Sequence, residues 1–153
     1  MKRTILMICA MAIMIPASSA QAQIENVEAA EAYNLARTLY QEGKFDEAKE
    51  ELLKSARLEP GNYMACHLLG MTYERLRQPD DAIAQFQAAV GFNPNYYRAF
   101  SAMAGVYLNH KNDLENALIN YIQAGNVSET VGQPYWQAFY HQGKIHFDQQ
   151  QWD

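Results

Sequence analysis

The strongest constraint on how this chain can fold is a self-similarity of period 34. Leu35, Leu69 and Met103 are spaced by that step, as are Ala36, Gly70 and Ala104, and Leu39, Tyr73 and Tyr107. Pro60 and Pro94 keep it too. Several independent columns sharing one period of this length mark a stack of small supersecondary units, each too small to bury its apolar face alone. Inside each unit the apolar spacing is helical. Cys66, Leu69, Gly70 and Tyr73 follow the i, i+3, i+4, i+7 pattern, and Ala82, Phe86 and Ala89 resume it after a break at Arg77-Gln78-Pro79. Pro79 suits the first turn of a helix, where its missing N–H costs nothing, and Asp80 and Asp81 suit the positive end of the helix dipole. Gly43 and Gly61 mark turns, and Pro60 and Pro94 stop helices. The pattern predicts antiparallel helix pairs, with first helices near 28–41, 62–76 and 96–110 and second helices near 45–58, 79–91 and 113–125.

These residues resemble the tetratricopeptide repeat (TPR) family, whose pattern is Trp-x2-Leu-Gly-x2-Tyr, then Ala-x3-Phe-x2-Ala, then Pro. The second unit matches it as Cys66-x2-Leu69-Gly70-x2-Tyr73, Ala82-x3-Phe86-x2-Ala89 and Pro94. The first reads Ala32-x2-Leu35-Ala36-x2-Leu39, Ala48-x3-Leu52-x2-Ser55 and Pro60. The third reads Phe100-x2-Met103-Ala104-x2-Tyr107 and Ala117-x3-Tyr121-x2-Ala124, with one extra residue in its inner turn and Glu129 where Pro is expected. The resemblance implies an all-α fold, a right-handed α-α superhelix (a TPR solenoid) with repeats at about 29–62, 63–96 and 97–130. In this pattern the small residues Ala36, Gly70 and Ala104 let a neighbouring helix approach, and Leu35, Leu39, Leu69, Tyr73, Met103 and Tyr107 fill the space beside that contact. Phe139, Gly143 and Trp152 restart the spacing, so residues 134–153 are expected to be a capping helix or the first half of a fourth repeat. Gln142 and His146 in the motif favour a cap, whereas Trp152 in the turn slot favours a chain that continues.

The start of the chain has a different character. Lys2 and Arg3 precede an uncharged apolar run from Ile5 to Ile15, which Pro16 ends. Eleven residues are too few to span a bilayer. Ser18-Ser19-Ala20 and Ala20-Gln21-Ala22 both offer the small-x-small pattern of a signal peptidase site. Residues 1–22 are therefore expected to be a signal peptide and 23–153 the TPR domain, secreted across the inner membrane into the periplasm. Ile8 before Cys9 does not fit a lipidation signal. Cleavage would leave Cys66 as the one thiol, so no intrachain disulfide could form, and no later stretch is apolar enough to span a membrane.

With 12 basic against 17 acidic residues, the chain lacks the charge of a general nucleic-acid binder. It holds no glycine-rich phosphate loop, GxSxG, HExxH or CxxC. His141 and His146 are five apart, on different helix faces, and Cys66 occupies a core slot. Neither an enzyme, a cofactor nor a bound metal is expected.

What remains is a surface. The resemblance implies that the first helices line a concave groove that takes a peptide or a partner helix. It places Tyr33, Asn34, Arg37, Tyr40 and Gln41 there from the first repeat, and His67, Met71, Glu74 and Arg75 from the second. Arg98, Ser101 and Asn109 follow from the third, and Tyr140, His141 and Lys144 from the last helix. Each residue alone could equally be solvated helix surface; as a set they suit binding. One subset of the family grips a peptide's terminal carboxylate through five fixed slots. Here Tyr33, Arg37, Leu68 and Ala102 fill four of them and only Arg98 resembles its counterpart, which argues against that mode. The function expected is a non-catalytic exported scaffold for protein contacts. The rivals are the N-terminal module of a longer envelope enzyme or assembly factor, and a glycan-binding module using Tyr33, Tyr40 and Tyr140. An unpaired last helix would also favour self-association.

Overall fold

The computed structural model describes residues 17–150, and side chains from 26 to 146. The charged start and apolar run of the expected signal peptide, and Trp152, lie outside them. Seven α-helices follow one another: α1 (Ala17–Gln41), α2 (Phe45–Leu58), α3 (Tyr63–Arg75), α4 (Pro79–Phe92), α5 (Tyr97–Val106), α6 (Leu114–Thr130) and α7 (Trp136–Gln150). There is no strand among the described residues. No helix among them is long and apolar enough to cross a membrane. α1 with α2, α3 with α4 and α5 with α6 form three hairpins, and α7 packs on α6.

The ends of these helices follow from local chemistry. Asn62 caps α3, its side-chain oxygen accepting from the N–H groups of Met64 and Ala65, and Asp113 caps α6 by accepting from Asn116 N–H. Pro79 opens α4 and Asp80 and Asp81 follow it in the first turn, as the sequence predicts. Each inner turn reverses through one residue in the left-handed region. In the first hairpin this is Gly43 (φ +79°), where Lys44 N–H donates to Leu39 carbonyl at 2.9 Å and Gly43 N–H to Tyr40 carbonyl at 3.1 Å. The second uses Arg77 (φ +61°) with the same pair of bonds, to Tyr73 and Glu74.

The third hairpin carries the extra residue that the sequence shows. It is absorbed in a π-helical turn, Tyr107–Lys111, that extends α5. Asn112 (φ +50°) then makes the reversal, and Asp113 N–H reaches back six residues to Tyr107 carbonyl at 2.9 Å. Two basic side chains on this turn meet acids of the preceding repeat: His110 lies 3.5 Å from Glu74, and Lys111 pairs with Asp80. The Lys111–Asp80 pair is exposed and sets orientation more than stability, whereas His110 and Glu74 are partly buried.

Three buried clusters hold the stack. Ala36, Leu52, Ala65, Leu68 and Leu69 join the first hairpin to α3. Cys66, Ala82, Ile83, Phe86, Ala89, Ala99, Met103 and Val106 join the second to α5. Ala104, Ala117, Tyr121, Ala124, Ala138 and Ile145 join the third to α7. Every cluster needs a helix from the next unit, which is the physical meaning of the repeat. Ser55, fully buried in α2, adds a 3.0 Å hydrogen bond to Ala29 carbonyl in α1.

Four expectations are corrected. Leu35 does not fill a core: it is 49% exposed, because its slot packs against the preceding hairpin, as Leu69 does, and among the described residues no hairpin precedes α1. α1 runs back to Ala17 rather than starting near residue 28. α6 continues to Thr130 rather than 125, since Asn126 to Thr130 contain no breaker and the reversal waits for Gly132 (φ +69°). The last helix begins at Trp136, two residues after the expected start at 134. At the far end Trp136, Phe139 and Tyr140 are 68%, 42% and 59% exposed.

Two glycines inside first helices behave oppositely. A Cβ on Gly70 would sit 2.6 Å from the ring of Phe86, which is fully buried, whereas one on Gly105 would meet nothing within 4 Å. For Gly70→Ala, overpacking of about 1–3 kcal/mol outweighs a helix-propensity gain of at most about 1 kcal/mol. Denaturant melts should therefore show Gly70→Ala destabilised and Gly105→Ala stabilised by up to about 1 kcal/mol. Two shifts of the same sign would refute the packing register. Arg77→Gly should likewise gain about 0.5–1 kcal/mol by relieving a left-handed non-glycine residue, read in the same melts, with no gain counting against the turn geometry.

Candidate functional site

All fifteen side chains expected in the groove lie on first helices or the π-helical turn's segment, and none is buried. Helical repetition lines them up in columns that cross the stack. Tyr33, His67, Ser101 and Tyr140 occupy one slot on α1, α3, α5 and α7, and Arg37, Met71, Gly105 and Lys144 occupy another. The last member of each column is 39 rather than 34 residues on, which is the offset between the starts of α5 and α7.

Several expected residues are engaged within the protein. Tyr40 meets Phe45 edge-on with ring centres 5.4 Å apart, and the Arg75 guanidinium lies 5.7 Å above the same ring. These two cover the head of α2 and seal the first turn. Glu74 faces His110, as described. His67 packs on Phe86 at 5.4 Å and edge-on against Tyr96 at 5.1 Å. Ser101 Oγ donates to the Tyr135 hydroxyl oxygen at 3.3 Å. His141 stacks on Tyr121 at 4.8 Å and touches Tyr140. Asn34, Arg37, Gln41, Arg98, Asn109, Tyr140 and Lys144 are exposed.

Sequence reasoning missed three features. The first is a tyrosine lip where first helices begin. Tyr63 meets Tyr96 at 4.9 Å and Tyr97 meets Tyr135 at 5.1 Å, with Arg98 beside Tyr97. The Tyr63 and Tyr97 positions repeat at 34, so this lip was legible as a column once helix starts were weighed with the motif. The second is Gly105, whose place in a mid-groove column leaves open floor. The third is a cleft of about 390 Å³ lined by Leu108, Asn109, Leu114, His141, Lys144 and Ile145, formed where the π-helical turn meets α7. No sequence signal short of the extra residue announced it.

Burial and neighbouring charge set the electrostatics of the site. Burial, and then the Arg98 charge, push His67 down to about 4, so its imidazole is neutral at physiological pH. Burial, with the Lys144 ammonium beside it, lowers His141 as well. Burial pushes the Cys66 thiol up, which keeps it protonated and inert. No group of three or more metal-ligating side chains is gathered among the described residues. Charge is divided by face. α2, α4 and α6 carry eight carboxylates against three cations, while α1, α3, α5 with its π-helical turn, and α7 carry five carboxylates against five.

A profile of the tetratricopeptide repeat family matches residues 33–97 and 67–128, and the chain belongs to that family. Solved structures agree on the fold. The first TPR of Spaghetti (RPAP3), bound to the HSP90 peptide SRMEEVD, is 21% identical with a TM-score of 0.72, the match covering 80% of this chain and 94% of that one. PcrH in complex with the chaperone binding region of PopD is 19% identical with a TM-score of 0.72, over 78% and 91%. The Yersinia enterocolitica type III secretion chaperone SycD, in complex with a peptide of the translocator YopD, is 18% identical with a TM-score of 0.69, over 78% and 92%. Among curated proteins, none matches this sequence.

His67 makes a pH prediction. Its folded value lies below the unfolded 6.5, so the unfolded chain binds the extra proton between about 4 and 6.5. Stability from this residue is complete above 6.5 and is lost as pH falls through that window, by at most about 3 kcal/mol. His141 acts in the same direction. In His67→Phe the slope of unfolding free energy between pH 6.5 and 4 should flatten; an unchanged slope would mean His67 is not held in an apolar setting.

Proposed function

We propose that this protein is a non-catalytic, exported adaptor that holds a peptide or helix of another protein in the groove lined by α1, α3, α5 and α7. The observation that carries this is the groove's surface: four aligned first helices present exposed Asn34, Arg37, Arg98, Asn109, Tyr140 and Lys144 around partly buried Tyr33, His67, Met71 and Ser101. Tyrosine and arginine are effective anchors, and methionine adapts to varied partners. The fold relatives RPAP3, PcrH and SycD carry peptides or binding regions of other proteins, which supports the same use of the fold here. Export rests on the sequence of residues 1–22, with its charged start, eleven-residue apolar run and small-residue cleavage sites. The first buried side chain described is Ala29, so cleavage at Ala20 or Ala22 leaves the described core intact.

Photo-crosslinking in cells tests the binding face. A crosslinker at Asn34 or Asn109 should trap a second polypeptide, and one at Glu50 or Gln87, exposed on second helices, should not. Equal trapping from both faces, or none from either, would defeat the groove. Fusing residues 1–30 to alkaline phosphatase should give active enzyme outside the inner membrane; an inactive fusion retained in the cytoplasm would remove the export reading.

A further inference from the structure

We infer that the groove selects an extended segment with a carboxylate at each end of an apolar stretch. This rests on the peptide-groove reading above and deepens it. The carrying observation is the column Arg37, Met71, Gly105, Lys144, which crosses the groove from α1 to α7. Its outer members are exposed cations and its inner members are apolar or absent side chains. Arg37 and Lys144 enter none of the ion pairs found among the described residues, while the cations that do pair are at turns or on α2. The carboxylate of Glu74, the one acid on α3, is drawn off toward His110. Eight acids sit on α2, α4 and α6, and α1 and α7 add three and one. Two exposed cations thus stand at the ends of one line.

Between the cations the floor is suited to uncharged side chains. Met71 is half-buried and deformable, and Gly105 leaves open space above its Cα. Beside Lys144 the cleft of about 390 Å³ has Leu108, Leu114 and Ile145 for walls, with Asn109 at its rim. An aliphatic or aromatic side chain of the ligand fits there, next to the residue whose carboxylate meets Lys144. The spacing follows from helix geometry. Neighbouring packed helices lie about 8–10 Å apart, so three steps come to roughly 25–30 Å. An extended chain at about 3.3 Å per residue covers that in about eight or nine residues. This is a different demand from a single terminal carboxylate, and it reads internal segments equally well.

A random fourteen-residue peptide library displayed on phage, selected against the full chain, tests it. Enriched peptides should carry two Asp or Glu separated by about seven to nine positions with apolar residues between. The best synthetic peptide should lose at least tenfold in affinity against Arg37→Glu and against Lys144→Glu. Replacing its two acids by Lys should weaken it against the native protein and restore it against the double variant. Gly105→Trp, at a position where an added Cβ meets nothing within 4 Å, should abolish binding while the melt stays native. Enriched peptides that lack the paired acids, or bind both charge variants as well as the native protein, would overturn the charge pattern and leave the groove standing. No enrichment at all would overturn the groove reading itself, and this inference with it.

Discussion

Each hairpin exists because a first helix places a small residue where a second helix presents a large one. Gly70 admits the ring of Phe86 so closely that a single methyl would intrude to 2.6 Å. Ala36 shares a cluster with Leu52, and Ala104 with Tyr121. These contacts set how near the two axes come, and that nearness sets where the outer face of each pair lies. The next first helix then closes the cluster from the other side, as Ala99, Met103 and Val106 do for Phe86. Removing volume at the contact leaves a void, and adding it spreads the pair. Either change moves the groove, because the groove's walls are the reverse sides of the same helices. Stability and binding geometry therefore depend on one set of small residues.

The third repeat departs from this regularity in a way with local consequences. One inserted residue in an α-helix turns everything after it by about 100°. Confined to a single π-helical turn, the rotation leaves Ala104 seated in its cluster and redirects only the turn's far end. His110 and Lys111 reach back to Glu74 and Asp80, and Leu108 and Asn109 open toward α7. The length of α6 and the late reversal at Gly132 then set α7 39 residues after α5 instead of 34. Ser128, buried, holds that junction by accepting the Tyr135 N–H at 3.2 Å and donating to Gly125 carbonyl at 2.7 Å. The cleft beside Lys144 is the space these shifts leave.

Much of this was legible in the chain because repeated structure repeats its own signals. Helix pairing, the turn at Gly43, the start at Pro79 and the buried state of Cys66 all follow from period and residue type. What was not legible depends on neighbours that a motif does not encode. Leu35 and Leu69 are the same letter in the same slot, yet one is 49% exposed and the other 1%, since among the described residues only the second has a hairpin before it. Gly70 and Gly105 are both glycines within helices, and only the partner opposite tells the essential one from the open one. Tyr40 and Arg75 match the groove columns but are drawn onto Phe45. Slot identity gives a side chain's direction; what waits in that direction is a tertiary fact.

The division of charge between the two faces follows from the same architecture. Second helices begin with acids because the dipole favours them there, as at Asp46 and Glu47, Asp80 and Asp81, and Glu115. First helices α3, α5 and α7 have no acid in their first turns. Beyond their first turns, the acids on α3, α5 and α7 are Glu74, which His110 engages, and Asp148. At physiological salt, charges separated by more than about 8 Å are largely screened from one another. The acids of the second helices are thus largely screened from the exposed Arg37 and Lys144, in a chain of net charge −5.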